Sequence, residues 1–303
     1  MKDIYFKRLY AVDKIIIAYL TILSVLILFS TERIEKWYLF VIIHTLASLF
    51  FVVLAKWIAP RFGAAGRYLR GWNSLLVIPL TYKELEYLIP RIHPQDYDWQ
   101  LAAIDYRVFG AHPTLWLERW LWPPLTEYFQ IFYATYYFYP LILGIVLWRK
   151  GWLVKFHFWV MILMLGLLTS YLGYLAVPAI GPRFILADQQ TQPLSGIFLF
   201  EAIRTTLDKA EGITRDCFPS GHTELTLLVL YYSWRFHKPT FKWFLIPCST
   251  IILSTVYLRY HYVVDIVAGF FFALTIVLTA NWLHRKLGGK DISQNSDVIA
   301  DDI

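Results

Sequence analysis

Charge is scarce in this sequence and cysteine is nearly absent. Of its 303 residues, 17% are Asp, Glu, Lys or Arg, against about 25% in average soluble domains. A chain so poor in charge is not disordered. The two cysteines, Cys217 and Cys248, exclude a disulfide framework. No C-x-x-C or H-E-x-x-H pattern announces a metal site. What fills the space is apolar: 58% of residues are hydrophobic and mean hydropathy is +0.49. Aromatics are abundant, with 13 Trp, 21 Tyr and 22 Phe, and Trp and Tyr gather at membrane–water interfaces. These values read as an all-α polytopic membrane protein.

A bilayer core needs about 20 apolar residues in a helix. Eight runs are candidate transmembrane helices: 15–30, 37–58, 72–89, 128–148, 152–177, 220–236, 242–258 and 262–284, the third weakened by Lys83, Glu84 and Glu86 and the sixth short. The basic stretch MKDIYFKRLYAVDK precedes the first run, and no small-residue cleavage site follows Leu28. It reads as a retained first helix. With the N-terminus in the cytoplasm, loops on that side carry 17 Lys and Arg against 10 on the other, as the positive-inside rule requires. Both termini are then cytoplasmic. The net charge of +6 is explained by these loops, and no nucleic-acid partner is expected. The chain divides into a two-helix extension with a basic loop (1–71), a six-helix core (72–285) and a disordered tail (286–303).

Two longer segments fall on the non-cytoplasmic side. In 90–127, Trp116, Trp120 and Trp122 approach helical spacing and suggest a helix lying in the interface. In 178–219, FLFEAIRTTLDKAEG suggests a surface helix. Arg215 and Asp216 read as a local ion pair ahead of substrate binding, and His44 as a partner in an interhelical hydrogen bond.

Three clusters on this same side can carry chemistry. The first, Pro178-Ala-Ile-Gly-Pro-Arg183, follows the fifth run. Arg183 there either grips a phosphate bidentately or anchors at the headgroups. The second, Phe218-Pro-Ser-Gly-His222, opens the sixth run. A helix start presents free N–H groups and a positive dipole end, which suits an anion. Gly221 lets the backbone approach, Ser220 adds a hydroxyl, and His222 can give a proton. The plainer reading is a Ser cap beside a histidine, although this tetrapeptide arises by chance in about one chain in a thousand of this length. The third cluster, Tyr257-Leu-Arg-Tyr-His261-Tyr-Val-Val-Asp265, joins the last two runs. His261 and Asp265 are one helical turn apart on one face. Asp265 can take the Nδ1 proton and leave Nε2 free as nucleophile or base, or the two form a simple surface pair. Arg259 is either a phosphate clamp or an interfacial anchor.

Taken together, these clusters resemble the type 2 phosphatidic acid phosphatase superfamily, by motif over about 165–285. The resemblance implies that His261 attacks phosphorus and becomes a phosphohistidine. It implies further that Asp265 orients His261 and that His222 protonates the leaving oxygen. Ser220, Gly221 and arginines, Arg183 among them, would hold the phosphoryl oxygens. No metal or other cofactor is implied. The partners would be a membrane lipid phosphate donor and water or an alcohol as acceptor. The active face would be periplasmic, extracellular or lumenal.

Two positions depart from the family pattern. The lysine expected seven residues before Arg183 is Ala176, and the arginine expected six before His261 is Thr255. Arg259, one turn after Thr255, is a candidate replacement. These departures, with HYVVD, the Pro-Ala-x-Gly-Pro-Arg stretch and AIDYRVFGAHPTLWLE (103–118), look more like the inositol phosphorylceramide synthase branch, whose members transfer a phospho-headgroup between lipids. The alternative from another class is a non-catalytic lipid or phosphate carrier on the same scaffold.

Overall fold

The structure is a computed structural model that describes residues 9–212, 214–290 and 292, apart from the side chains of Ala64, Arg67 and Glu211. The leading residues 1–8 and the expected tail at 293–303 lie outside the described residues.

Among the described residues every regular element is helical. In chain order they are α1 (Ala11–Leu28), α2 (Trp37–Val53), α3 (Gly63–Trp72), α4 (Val77–Ile92), α5 (Asp98–Phe109) and α6 (Pro123–Ala134). Then come α7 (Phe138–Arg149), α8 (Leu153–Ala176), α9 (Phe200–Glu211), α10 (Gly221–Phe236), α11 (Lys238–Tyr257) and α12 (Val263–Lys286). The fold is the expected all-α membrane protein. Six helical stretches are long and apolar enough to span a bilayer: Ala11–Leu28, Trp37–Phe62, Pro123–Arg149, Leu153–Ala176, Lys238–Tyr257 and Val263–Lys286. The remaining two runs form α4 and α10, each of 16 residues.

The chain folds as two compact units. The first comprises residues 1–84, 144–168 and 276–303, and the second 85–143 and 169–275. In the first unit, Arg70 donates to Asp13 at 2.7 Å with both side chains 1% exposed, and its guanidinium lies 4.0 Å from the Tyr10 ring centre. His44 links three helices, meeting Ser24 Oγ at 2.9 Å through Nδ1 and Glu84 Oε1 at 2.8 Å through Nε2. A polar side chain inside an apolar bundle needs such partners.

The second unit contains all three motif clusters. The expected surface helix over 200–211 forms as α9. Segment 113–122 is not one helix. It makes a single α turn at Pro113–Trp116 and a 3₁₀ turn at Leu117–Trp120, then runs extended through Leu121 and Trp122. The cause is Pro123 and Pro124: a residue before proline is pushed out of the helical region, and Pro at N1 starts α6 afresh. Beneath the loops lie two apolar clusters. One gathers Leu101, Ala102, Ala179, Leu186, Cys217 and Tyr262. The other gathers Tyr133, Leu194, Phe200, Tyr257 and Leu258.

Candidate active site

The Phe-Pro-Ser-Gly-His motif folds as its residue types dictate. Ser220 is the N-cap of α10, its hydroxyl accepting from Thr223 N at 3.2 Å. This satisfies one of the four N–H groups that a helix start leaves without partners. Gly221 serves packing: a Cβ there would meet Tyr174 Oη at 2.5 Å. The cap is also tied to the third cluster, since Ser220 N donates to Asp265 O at 3.0 Å.

His222 is held as a plate between two aromatic rings. Tyr133 stacks on it with centroids 4.5 Å apart, and Tyr136 lies at 4.3 Å on a tilt. The His261 ring is edge-on at 5.7 Å. Nε2 of His222 is buried with no hydrogen-bond partner. A buried polar atom left this way costs about 1–3 kcal/mol, so it signals a ligand-facing group.

His261 follows a tight turn in which Tyr260 N and His261 N both donate to Thr255 O, at 2.9 and 3.1 Å. Thr255, standing where the family pattern has arginine, thereby anchors the loop of the proposed nucleophile through its carbonyl. Nδ1 of His261 is 3.4 Å from Asp265 Oδ2, longer than a normal N–H···O bond. That oxygen accepts closer donors, Tyr262 N at 2.8 Å and the Cys217 thiol at 2.9 Å. Such bonds commonly tighten when substrate binds. Cys217, which the motif reading passed over, therefore stands beside the His–Asp pair. Burial, followed by the charges of Asp265, Asp98 and Asp216, pushes its thiol well above the usual range, so it stays protonated as a donor.

A small cavity of about 30 Å³ joins these groups. Its wall includes His222, His261, Arg183, Cys217, Tyr133 and Asp216. Arg183 is steered by Asp208, to which it donates at 2.9 Å. Its pKa is raised: burial opposes the charge, but the Asp208 hydrogen bond and carboxylate outweigh it. Ser220 and Gly221 sit behind the wall, at the helix start that presents His222.

Arg259 is placed elsewhere. Its guanidinium donates to Gln190 Oε1 at 2.6 Å, Glu118 Oε1 at 2.9 Å and Gln192 O at 2.7 Å. It fixes the 190–192 loop and is not part of the cavity wall. Its backbone has φ +64°, and its carbonyl accepts from Arg183 N at 3.1 Å. It therefore positions the first cluster through the main chain. The expected Arg215–Asp216 pair is corrected as well. Arg215 donates twice to Asp96, at 2.7 and 3.0 Å, because a guanidinium fork matches one carboxylate edge-on. Asp216 lies on the cavity wall.

Segment 98–127 supplies four carboxylates that hold the motif loops. Asp98 accepts from Ile180 N, Gly181 N and the Tyr262 hydroxyl at 2.9, 2.8 and 3.0 Å. Asp105 accepts from Val263 N and Val264 N at 2.7 and 2.9 Å, capping the helix that carries Asp265. Glu118 binds Arg259 and Thr191. Glu127 accepts from Ile197, Leu199 and Phe200 N at 2.8, 2.6 and 3.1 Å, capping α9. Carboxylates suit helix starts because of the dipole.

The same unit holds a much larger apolar bay of about 820 Å³. Trp116, Trp120, Val256, Tyr257 and Val263 line it, among others. Val263 is two residues from His261.

The sequence model of a family described as the PAP2 superfamily matches residues 99–279, more than half of the chain. No curated protein and no solved structure gives a significant match.

Proposed function

The chain belongs to the PAP2 superfamily, and from that premise we propose that it is an integral-membrane enzyme acting on lipid phosphate esters through a phosphohistidine at His261. Membership supports phosphatase-type chemistry on lipid phosphoesters. The observation that carries the finer reading is the meeting of His222, His261 and Arg183 on one cavity wall, with Nε2 of His222 buried and unpartnered.

Phosphoryl transfer asks chiefly for positioning and charge stabilisation. Arg183 on the cavity wall and the positive dipole end of α10 offset the charge of the phosphoryl oxygens. Nε2 of neutral His261 forms a bond to phosphorus, while Asp265 holds the Nδ1 proton. The bond from phosphorus to the leaving oxygen breaks, and His222 gives that oxygen its proton. The negative phosphate supplies the field that lets a buried imidazole carry one. In the second half, His222 takes the proton of the acceptor hydroxyl, whose oxygen attacks phosphorus and frees His261. Water as acceptor makes a phosphatase, and a lipid alcohol makes a headgroup transferase of the inositol phosphorylceramide synthase kind.

The apolar bay supports a lipid partner, since it offers an alkyl chain a place and its wall residue Val263 is two residues from His261. The charge distribution supports cytoplasmic termini with the site on the periplasmic, extracellular or lumenal side.

The test uses purified protein in lipid nanodiscs with labelled lipid phosphates and phospholipids. Candidate alcohols, including a ceramide-like acceptor, are added or withheld, and His261→Ala is run alongside. Free phosphate without acceptor dependence identifies a phosphatase. A new phospholipid formed only with acceptor identifies a transferase. Product formation undiminished in His261→Ala sinks the phosphohistidine.

A further inference from the structure

We propose that Cys217 Sγ, His261 Nδ1 and Asp265 Oδ2 form an inhibitory site for a soft divalent cation of the zinc class. The three atoms form a triangle with edges of 3.7 Å (Sγ to Nδ1), 3.4 Å (Nδ1 to Oδ2) and 2.9 Å (Sγ to Oδ2). Tetrahedral zinc, with Zn–S near 2.3 Å and Zn–N or Zn–O near 2.0–2.2 Å, sets ligand–ligand edges of about 3.3–3.6 Å. Two edges already match, and the third must open by about half an ångström, a small rotation of the thiol. All three side chains are buried, with exposures of 3%, 3% and 0%.

Two further observations point to a ligand. Oδ1 of Asp265 is buried with no partner, so the carboxylate has unused acceptor capacity facing no protein donor. Cys217 and His261 also line the small cavity, whose about 30 Å³ holds roughly one water. A water taken from that space would complete the four ligands a three-residue zinc site requires. The donor set, one thiolate, one imidazole and one carboxylate, selects zinc-like ions over magnesium. Asp98 and Asp216, which act on the thiol electrostatically, add a field that favours a cation.

Binding has a definite proton balance. The thiol loses its proton to solvent and becomes the thiolate ligand. The cation takes the Nδ1 lone pair, so the imidazole proton moves from Nδ1 to Nε2. The Nε2–H tautomer has no lone pair to offer phosphorus. The cation therefore inhibits by trapping the wrong tautomer, and its water ligand occupies the cavity as well. This consequence rests on the proposed role of His261, whereas the binding does not.

The experiment titrates full-length protein in nanodiscs with cobalt(II) as a spectroscopic stand-in, then with zinc. Expected are a thiolate-to-cobalt charge-transfer band saturating at one ion per chain in wild type and in Cys248→Ser, and its loss in Cys217→Ser. X-ray absorption of zinc-loaded Cys248→Ser should show a single sulfur near 2.3 Å, a measurement that needs no change at Cys217. Zinc should inhibit lipid-phosphate turnover reversibly with a chelator. Each variant is read against its own metal-free rate, and the half-inhibiting concentration should rise at least tenfold in Cys217→Ser. No band in wild type, a band that survives Cys217→Ser, or no sulfur around zinc overturns the site. A protein that gives the band yet turns over no lipid phosphate keeps the site and loses the proposed function.

Discussion

Glu118 and Arg259 form an ion pair at 2.9 Å with side chains only 8% and 4% exposed, joining the interfacial turn at 117–120 to the loop that leads into His261. Breaking one side of a buried pair strands a charge and costs about 3–5 kcal/mol. Glu118→Ala should therefore lower the thermal midpoint in detergent sharply, and activity with it. Glu118→Ala combined with Arg259→Leu should recover much of the loss, because no charge is then stranded. A double variant no more stable than Glu118→Ala would show that the pair is not what holds the loop.

The nucleophile can be read directly. His261→Ala should reduce product formation to background and remove any acid-labile phosphoenzyme trapped by rapid quench. His222→Ala should lose about 10²- to 10⁴-fold, the usual worth of a general acid, while still accumulating phosphoenzyme from substrates with good leaving groups. A phosphoenzyme in His261→Ala would place the nucleophile elsewhere.

The proposed roles need His261 without its proton and His222 with one. These opposed demands give the rate a bell-shaped dependence on pH, with an alkaline limb where His222 gives up its proton. The alkaline limb should vanish in His222→Gln. A profile flat from roughly pH 5 to 9 in wild type would dismiss this pair of roles.

The grouping of the candidate residues was legible in the sequence because they are near one another in the chain. Ser220, Gly221 and His222 form one motif, and His261 and Asp265 are one helical turn apart. The helices were legible because apolar runs of bilayer length have one reading. The supports were not. Cys217 meets Asp265 across 48 residues, and Asp98 meets Tyr262 across 164, and no local pattern marks such pairs. Arg259 was not legible either: a basic residue two positions before His261 suggests phosphate binding, whereas its guanidinium is held by Gln190, Glu118 and Gln192. The stacking of Tyr133 on His222 lies inside the tyrosine-rich stretch 128–140, where no local pattern singles out one ring.

Glu127 gathers the N–H groups of residues 197, 199 and 200 on one carboxylate. Glu127→Ala should leave them without acceptor and cost about 1–3 kcal/mol. Amide exchange over 197–200 should accelerate accordingly, with α10 unaffected. Glu127→Gln keeps one acceptor oxygen and should restore part of the protection. Unchanged exchange in Glu127→Ala would remove this cap from the account.

The apolar bay makes the last prediction, one about selectivity. An alkyl chain arriving from a bilayer is already out of water, so the bay gains little transfer energy and discriminates by shape. Leu253 lines the bay and is 65% exposed, so a larger side chain is tolerated there without repacking a core. Leu253→Trp should overfill the bay for long chains, at about 1–3 kcal/mol. That amounts to a roughly five- to 150-fold fall in kcat/KM. A short-chain, water-soluble phosphate ester does not reach the bay and should react at the wild-type rate, since none of the groups around His261 has moved. The ratio of the two substrates isolates the bay from the chemistry. A ratio unchanged by Leu253→Trp would mean that the lipid lies elsewhere, whatever the fate of His261.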